Sequence, residues 1–155
     1  FIGEHLCGFY HRAHNFKIAV IRPWDFTPFG SDFIRYGQRL LSGGVDRRDV
    51  IGSVVRAVDA VVEGSVENDW FEVGKDNPFS DSDLDDFKDD PKAVIERHWP
   101  GYGDLIDRYG ISMPERPHMA DLEKTKSILG YQPHYNFGTF LAELRERDSQ
   151  GIAVR

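Results

Sequence analysis

Apolar residues at the start of the chain recur every three or four positions, which is the spacing of one helix face. They occupy the positions Ile2, Leu6, Phe9 and Tyr10. A continuous apolar run, IAVI, follows and stops at Arg22-Pro23. The pattern predicts a helix over 2–14 and a buried strand over 17–22. A loop over 23–31 with a Pro-Phe-Gly turn comes next.

A second apolar stripe predicts a helix over 48–63, with Asp46 as its N-terminal cap. One face of this helix carries Val50, Ile51, Val54, Val55, Val58, Val61 and Val62. A shorter helix is expected over 32–42, and the segment SGGVDRRD between the two helices is expected to be a Gly-rich turn.

The rest of the chain alternates short elements with polar loops. We predict a strand over 70–74, an acidic loop over 76–90 with a possible helical turn, and helices over 90–99, 102–110, 122–130 and 137–147. Asp121 is expected to cap the helix over 122–130. Strands separated by helices indicate an α/β fold, and two strands are too few for a self-sufficient sheet. Neighbouring strands outside these 155 residues are therefore expected, as is a segment before Phe1, because the first helix has no start signal.

Composition narrows the classes of function. A chain of 155 residues with 40% hydrophobic and 29% charged residues suits one folded domain. Acidic residues outnumber basic ones by 26 to 19, giving a net charge of −7, which disfavours nucleic acid as a partner. No apolar run reaches 18 residues, so no membrane partner is expected. Cys7 is the single cysteine, which fits a cytoplasmic location.

For three candidate sites, the sequence favours a structural role over a functional one. The acidic run at 81–86 lacks the glycine and the final glutamate of a calcium loop, so a solvated surface is favoured. Exposed surface positions are favoured over a metal site for the histidines of the first helix, since a full ligand set is missing. Cys7 has no activating neighbour and is expected to be a buried structural thiol.

Arg47 and Arg48 enter the long helix beside two glycines and form a more informative pattern. A guanidinium offers a rigid fork of donors that suits a phosphate or a carboxylate. The alternative is that one arginine pairs with Asp46 or Asp49 and the other is solvated. The sequence leaves both possibilities open.

Four blocks, taken in order, resemble the C-terminal half of the extended short-chain dehydrogenase/reductase family, the NAD-dependent epimerase/dehydratases. The blocks are GEHLCGFYHRAHNFKIAVIRPWDFTPFG, GGVDRRDVIGSVVRAVDAV, WFEVGKDNPFS and ADLEKTKSILGYQPHYNFGTFLAEL. The resemblance implies the C-terminal portion of a Rossmann-like parallel sheet and a small, mostly helical substrate-binding domain. Residues 1–155 would then be the substrate-binding part, with the N-terminal cofactor-binding part absent.

The same resemblance implies a function and a set of site residues. Full-length members transfer a hydride between a nicotinamide, of NAD or NADP, and a sugar or sugar-nucleotide substrate. The loop after the Arg-Pro strand resembles the one that holds the nicotinamide, which implicates Pro23, Trp24, Asp25 and Phe26. Arg47, Arg48 and Arg116 are candidates for binding the small-molecule substrate. A homodimer is possible in the full-length protein.

The family's Gly-rich cofactor turn and its catalytic Tyr-x-x-x-Lys are not found in this sequence. Glu72 also stands where the family usually has asparagine. The chain by itself is therefore predicted to be inactive, to bind NAD weakly or not at all, and to aggregate through an exposed sheet edge. The alternative function is a non-catalytic interaction module derived from the same fold.

Overall fold

The computed structural model describes residues 2–27 and 32–154, so the Pro-Phe-Gly turn predicted at 28–30 lies outside the described residues. The described residues form parallel strand pairs beside a larger helical layer. In chain order the elements are α1 (Ile2–His14), β1 (Ile18–Pro23), β2 (Asp25–Phe26), α2 (Phe33–Leu41), β3 (Gly44–Val45), α3 (Arg47–Glu63), β4 (Asn68–Val73), α4 (Asp81–Asp89), α5 (Pro91–His98), α6 (Gly103–Arg108), α7 (Glu123–Leu129) and α8 (Phe137–Ser149).

The two longer strands confirm the predicted α/β class. β1 and β4 pair in parallel, with Ile18 opposite Asn68 and Pro23 opposite Val73. Their carboxyl ends therefore lie at one edge of the sheet. Helices α2 and α3 lie between these strands in the chain, which is the connection that a parallel pair requires.

The segment over 42–49 is not wholly a turn, as predicted, because Gly44 and Val45 form β3 and pair in parallel with Asp25 and Phe26 of β2. The pairing brings the backbone of Gly44 very close to its neighbours. A Cβ at this position would lie 2.6 Å from the carbonyl oxygen of Arg39. Glycine is needed here for close approach, so its presence did not signal a turn.

Helix α3 begins and ends as its sequence predicts. Oδ1 of Asp46 accepts a hydrogen bond of 2.7 Å from the backbone N–H of Arg48, and Gly64 closes the helix with a φ of +80°. The buried face is nevertheless made mainly of small or polar residues: Asp49, Val50, Ser53, Ala57 and Ala60. Most of the valine-rich face is exposed to solvent.

The helical layer encloses the largest core. Its fully buried side chains come from α2, α4, α5, α6 and α8 and include Leu40, Phe87, Ile95, Ile106, Phe137 and Phe140. The acidic segment contributes a complete helix rather than a single turn. Ser80 and Asp83 form a capping box at its start, which satisfies N–H groups that would otherwise lack acceptors.

Helix α1 is attached to the sheet by a bidentate ion pair. Nε and Nη2 of Arg22 donate to the two carboxylate oxygens of Glu4, each at 2.6 Å. The predicted apolar face of α1 is exposed, with Ile2 at 79% and Phe9 at 52%. Cys7, expected to be buried, is only half-buried.

Helix α7 starts at Glu123, and its capping position is Leu122 rather than the predicted Asp121. Oδ1 of Asp121 still accepts a hydrogen bond of 3.0 Å from the backbone N–H of Glu123. No helix in the described part of the chain is long and apolar enough to cross a membrane.

Candidate functional site

Trp24 lies where the carboxyl ends of β1 and β4 meet. Its backbone N–H donates to the carbonyl oxygen of Val73 at 2.9 Å, and its indole Nε1 donates to a carboxylate oxygen of Glu72 at 2.6 Å. A Cβ on Gly74 would come within 3.1 Å of the indole ring. The glycine therefore lets the indole lie directly against the end of β4.

His118 forms the other side of the tryptophan. The centroids of the two rings are 4.0 Å apart. His118 belongs to the loop between α6 and α7, and this loop is also tied to α2 by the backbone N–H of His118, which donates to the carbonyl oxygen of Leu41 at 3.4 Å. The edge of the sheet thus gains an aromatic wall from a distant segment.

Pro23, Asp25 and Phe26 continue the same edge. Pro23 is the last residue of β1, and Asp25 and Phe26 form β2. Asp25 accepts a hydrogen bond of 2.9 Å from Nη2 of Arg39. Phe26 is 58% exposed, so its ring offers an apolar surface beside the strand ends.

Lys75 lies two residues after the last residue of β4 and is only 2% exposed. Its ammonium donates to the carbonyl oxygen of Ser42 and lies 4.6 Å from the centroid of the Trp24 ring. Burial, together with the positive charge of Arg39, lowers the pKa of Lys75 to about 7. A lysine in this state can exchange a proton near neutral pH.

Of the predicted substrate residues, Arg48 has well-defined partners. Its side chain donates to both carboxylate oxygens of Asp46 at 2.8 and 2.9 Å, and its guanidinium lies 3.5 Å from the centroid of the Tyr135 ring. Burial opposes the charge of Asp46, but the hydrogen bonds from Arg48 outweigh it and keep the pKa of Asp46 below its ordinary value. The pairing of Arg48 with Asp46 is one of the two contacts that the sequence analysis considered.

Arg47 and Arg116 are both exposed. Arg47 is the first residue of α3, and Arg116 lies two residues before His118, in the loop that reaches Trp24. The structure thus gathers Pro23, Trp24, Asp25 and Phe26 at one edge, whereas the contacts of Arg48 belong to a separate cluster around Asp46.

The weaker candidates found in the sequence have structural contacts. Residues 2–27 and 32–154 contain no group of three or more His, Cys, Asp or Glu side chains that could hold a metal ion. Nδ1 of His11 is hydrogen-bonded to the carbonyl oxygen of Phe16 at 2.8 Å. In the acidic run, Asp83 is paired with Arg97 and His98.

Sequence reasoning missed four residues of this edge: Arg39, Glu72, Lys75 and His118. A charged residue directly after a core strand, as in FEVGK, was the one local signal that could have marked Lys75. Nothing in the local sequence indicates that the loop with His118 reaches Trp24, because that contact is made only by the tertiary fold.

No family model and no curated protein matches this sequence. Solved structures do. A UDP-glucuronic acid 4-epimerase from Bacillus cereus, in complex with UDP-glucuronic acid and NAD, matches over 96% of this chain with a TM-score of 0.52 and 17% identity. A UDP-N-acetylglucosamine 4-epimerase from the same organism matches over 94% of the chain with a TM-score of 0.51 and 18% identity.

The chain has the fold of about half of each of these structures. The resemblance to the epimerase/dehydratases that the sequence predicted is thereby confirmed at the level of the fold. The chain spans about half the length of the solved structures it matches, 50% of one and 49% of the other.

Proposed function

We propose that this chain is the substrate-binding part of an NAD-dependent epimerase/dehydratase that acts on a sugar or sugar-nucleotide. The match over 96% of the chain to the fold of an epimerase whose structure holds UDP-glucuronic acid and NAD carries the proposal. In open α/β sheets, ligands bind outside the carboxyl ends of the strands. Trp24 and its neighbours lie at the carboxyl ends of β1 and β4. The part of the protein that would hold the Gly-rich turn and the acid/base pair is proposed to lie outside these 155 residues.

The residues present fit a nicotinamide. Phe26 exposes an apolar ring at the strand ends, and the backbone of Pro23, Trp24 and Asp25 passes beside it. We assign these four residues to the nicotinamide of NAD or NADP, whose chemistry when bound is to accept or return a hydride. Arg47, Arg48 and Arg116 are proposed to contact the substrate, with Arg48 oriented by Asp46. The whole protein is proposed to be cytoplasmic and to form a homodimer.

Phe26 allows a direct test of this assignment. In the protein encoded by the longest reading frame that contains this chain, Phe26→Ala is expected to weaken NADH binding about tenfold, measured by fluorescence titration. Phe16→Ala is the matched control, because Phe16 is 56% exposed and lies before the opposite end of β1. Equal NADH affinity in the two variants would remove Phe26 from the cofactor site.

A second candidate function, a non-catalytic interaction module, is favoured by the exposed apolar face of α3. Ile51, Val54, Val55, Val58 and Val62 are 45–80% exposed. The reading frame upstream of Phe1 distinguishes the two functions. A frame that encodes Gly-x-x-Gly-x-x-Gly and Tyr-x-x-x-Lys supports the enzyme, and a stop codon close to Phe1 supports the module. Residues 1–155 alone are expected to show no turnover.

A further inference from the structure

Lys75 is a buried cation without a counter-charge of its own. Within the described part of the chain, the carbonyl oxygen of Ser42 is its hydrogen-bond acceptor, and no carboxylate pairs with it. An ammonium has three N–H donors, so two of them lack an acceptor. Burial of an unpaired charge and of unsatisfied donors destabilises the folded state unless another group satisfies them.

Arg39 also has an N–H donor that no acceptor among the described residues satisfies. Nη2 of Arg39 donates to the carboxylate of Asp25, which is 75% exposed. Nε of Arg39 is buried and has no hydrogen-bond partner among residues 2–27 and 32–154. Its positive charge acts on Lys75 strongly enough to contribute to the lowered pKa of that lysine. The carbonyl oxygen that accepts from Lys75 belongs to Ser42, three residues after Arg39. Both cations therefore lie at the end of α2, and the described residues leave donors of each unsatisfied.

Loss of the proton from Lys75 accounts for only part of this arrangement. A neutral amine removes one buried charge, but the guanidinium of Arg39 stays protonated at any physiological pH. Its Nε–H still lacks an acceptor when Lys75 is neutral. The carboxylate of Asp25 accepts from Nη2 of the guanidinium and leaves the neighbouring Nε–H unsatisfied. Neutralisation of Lys75 therefore leaves the Nε–H of Arg39 in need of an acceptor.

We propose that Lys75 and Arg39 bind an oxyanion, a carboxylate or phosphate group of a small-molecule ligand, at the carboxyl ends of β1 and β4. The ammonium and the guanidinium Nε supply charge-assisted donors, which are the strongest hydrogen bonds to such groups. Trp24 forms a wall of the site through its contact with Lys75. The proposal does not rest on the proposed function, since any ligand with an oxyanion satisfies these donors.

Calorimetric titration tests the proposal. The protein is titrated at pH 7 with sodium phosphate, sodium acetate and uridine monophosphate in separate experiments. The ionic strength is held constant with sodium chloride, so that general screening does not change between experiments. At least one of the three is expected to bind saturably and to raise the melting temperature. Tighter binding of acetate indicates a carboxylate ligand. Tighter binding of phosphate or of uridine monophosphate indicates a free phosphate or a phosphate ester.

Three variants complete the experiment. Lys75→Met is expected to weaken the binding at least tenfold while keeping the fold, because it removes a buried charge that no carboxylate of the described residues pairs with. Arg39→Gln is expected to weaken it as well. Lys92→Met is the control, because Lys92 is exposed and paired with Asp107. Absence of saturable binding by all three anions overturns the proposal, as does unchanged affinity in Lys75→Met. A loss of affinity in Lys92→Met equal to that in Lys75→Met also overturns it.

Discussion

The helical layer, formed by α2, α4, α5, α6 and α8, buries its apolar residues. In the sheet layer, formed by β1 and β4 with α1 against them, many apolar residues are only partly buried or exposed. In the helical layer, side chains from five helices enclose a core in which Phe137, Leu141 and Leu144 are fully buried. In the sheet layer, every residue of β1 is only half-buried, and α1 exposes Leu6, Phe9 and Tyr10.

The difference shows that apolar patterning and burial are separate properties. Strand β1 has the continuous apolar run of a strand covered on both faces, and within the described residues β4 is its one hydrogen-bonded neighbour. The helical layer closes on itself, whereas the sheet layer presents apolar surface that is available to another element or chain. Loss of a contact in the helical core should therefore cost much more than loss of a contact on β1 or α1, whereas Phe71 and Val73 of β4 are as fully buried as the helical core.

The largest expected difference in the free energy of unfolding is between alanine variants of two phenylalanines, one from each layer. Phe140 is 1% exposed and Phe9 is 52% exposed. Phe140→Ala is expected to lower the free energy of unfolding by about 3–5 kcal/mol, because it leaves a cavity in the core. Phe9→Ala is expected to change it by less than about 1 kcal/mol. Urea denaturation followed by circular dichroism measures both. Similar losses of unfolding free energy in the two variants would mean that the two layers do not differ in stability.

A smaller difference in stability is expected between substitutions on the buried and on the exposed face of α3. Ala57 is 4% exposed, while the adjacent Val58 is 56% exposed. Ala57→Leu is expected to destabilise the protein by about 1–3 kcal/mol through overpacking against the buried side. Val58→Leu is expected to stay within about 0.5 kcal/mol of the wild type. Thermal unfolding of the two variants measures the difference, and a larger cost at Val58 would mean that the valine face is covered in solution.

The smallest effect on stability is expected for Val58→Glu, which should change the free energy of unfolding by less than about 0.5 kcal/mol. It should nevertheless reduce self-association of residues 1–155, because contiguous exposed apolar surface favours association. Arg56→Gln is the matched control, since it changes the net charge by the same amount on the polar side of α3. Light scattering across a concentration series measures association. A wild-type chain that is monomeric at every concentration would contradict this prediction and the predicted aggregation.

Local chemistry made much of the secondary structure predictable. Asp46 caps α3 as expected, and the apolar run before Arg22-Pro23 forms β1. The strand Gly44–Val45 was missed because two residues are too few to produce a periodic signal. The helix at Asp81–Asp89 was predicted only as an acidic loop with a possible helical turn, because its many acidic residues hide the two buried apolar positions Leu84 and Phe87. Caps and periodicity act over a few residues, and therefore the sequence reveals them.

By itself, the sequence determined the α/β class, most helix bounds and the place of the Trp24 segment after the first strand, although Asp25 and Phe26 of the predicted loop form β2. Only the tertiary structure decided which face of α3 is buried and which residues surround Trp24. Lys75, Arg39 and His118 come from three segments far apart in the chain, and each contacts Trp24 or Asp25 only through the tertiary fold. Hydrophobic periodicity indicates that a face of a helix is apolar. Which neighbour covers that face depends on the packing of whole elements, and no local pattern encodes this packing.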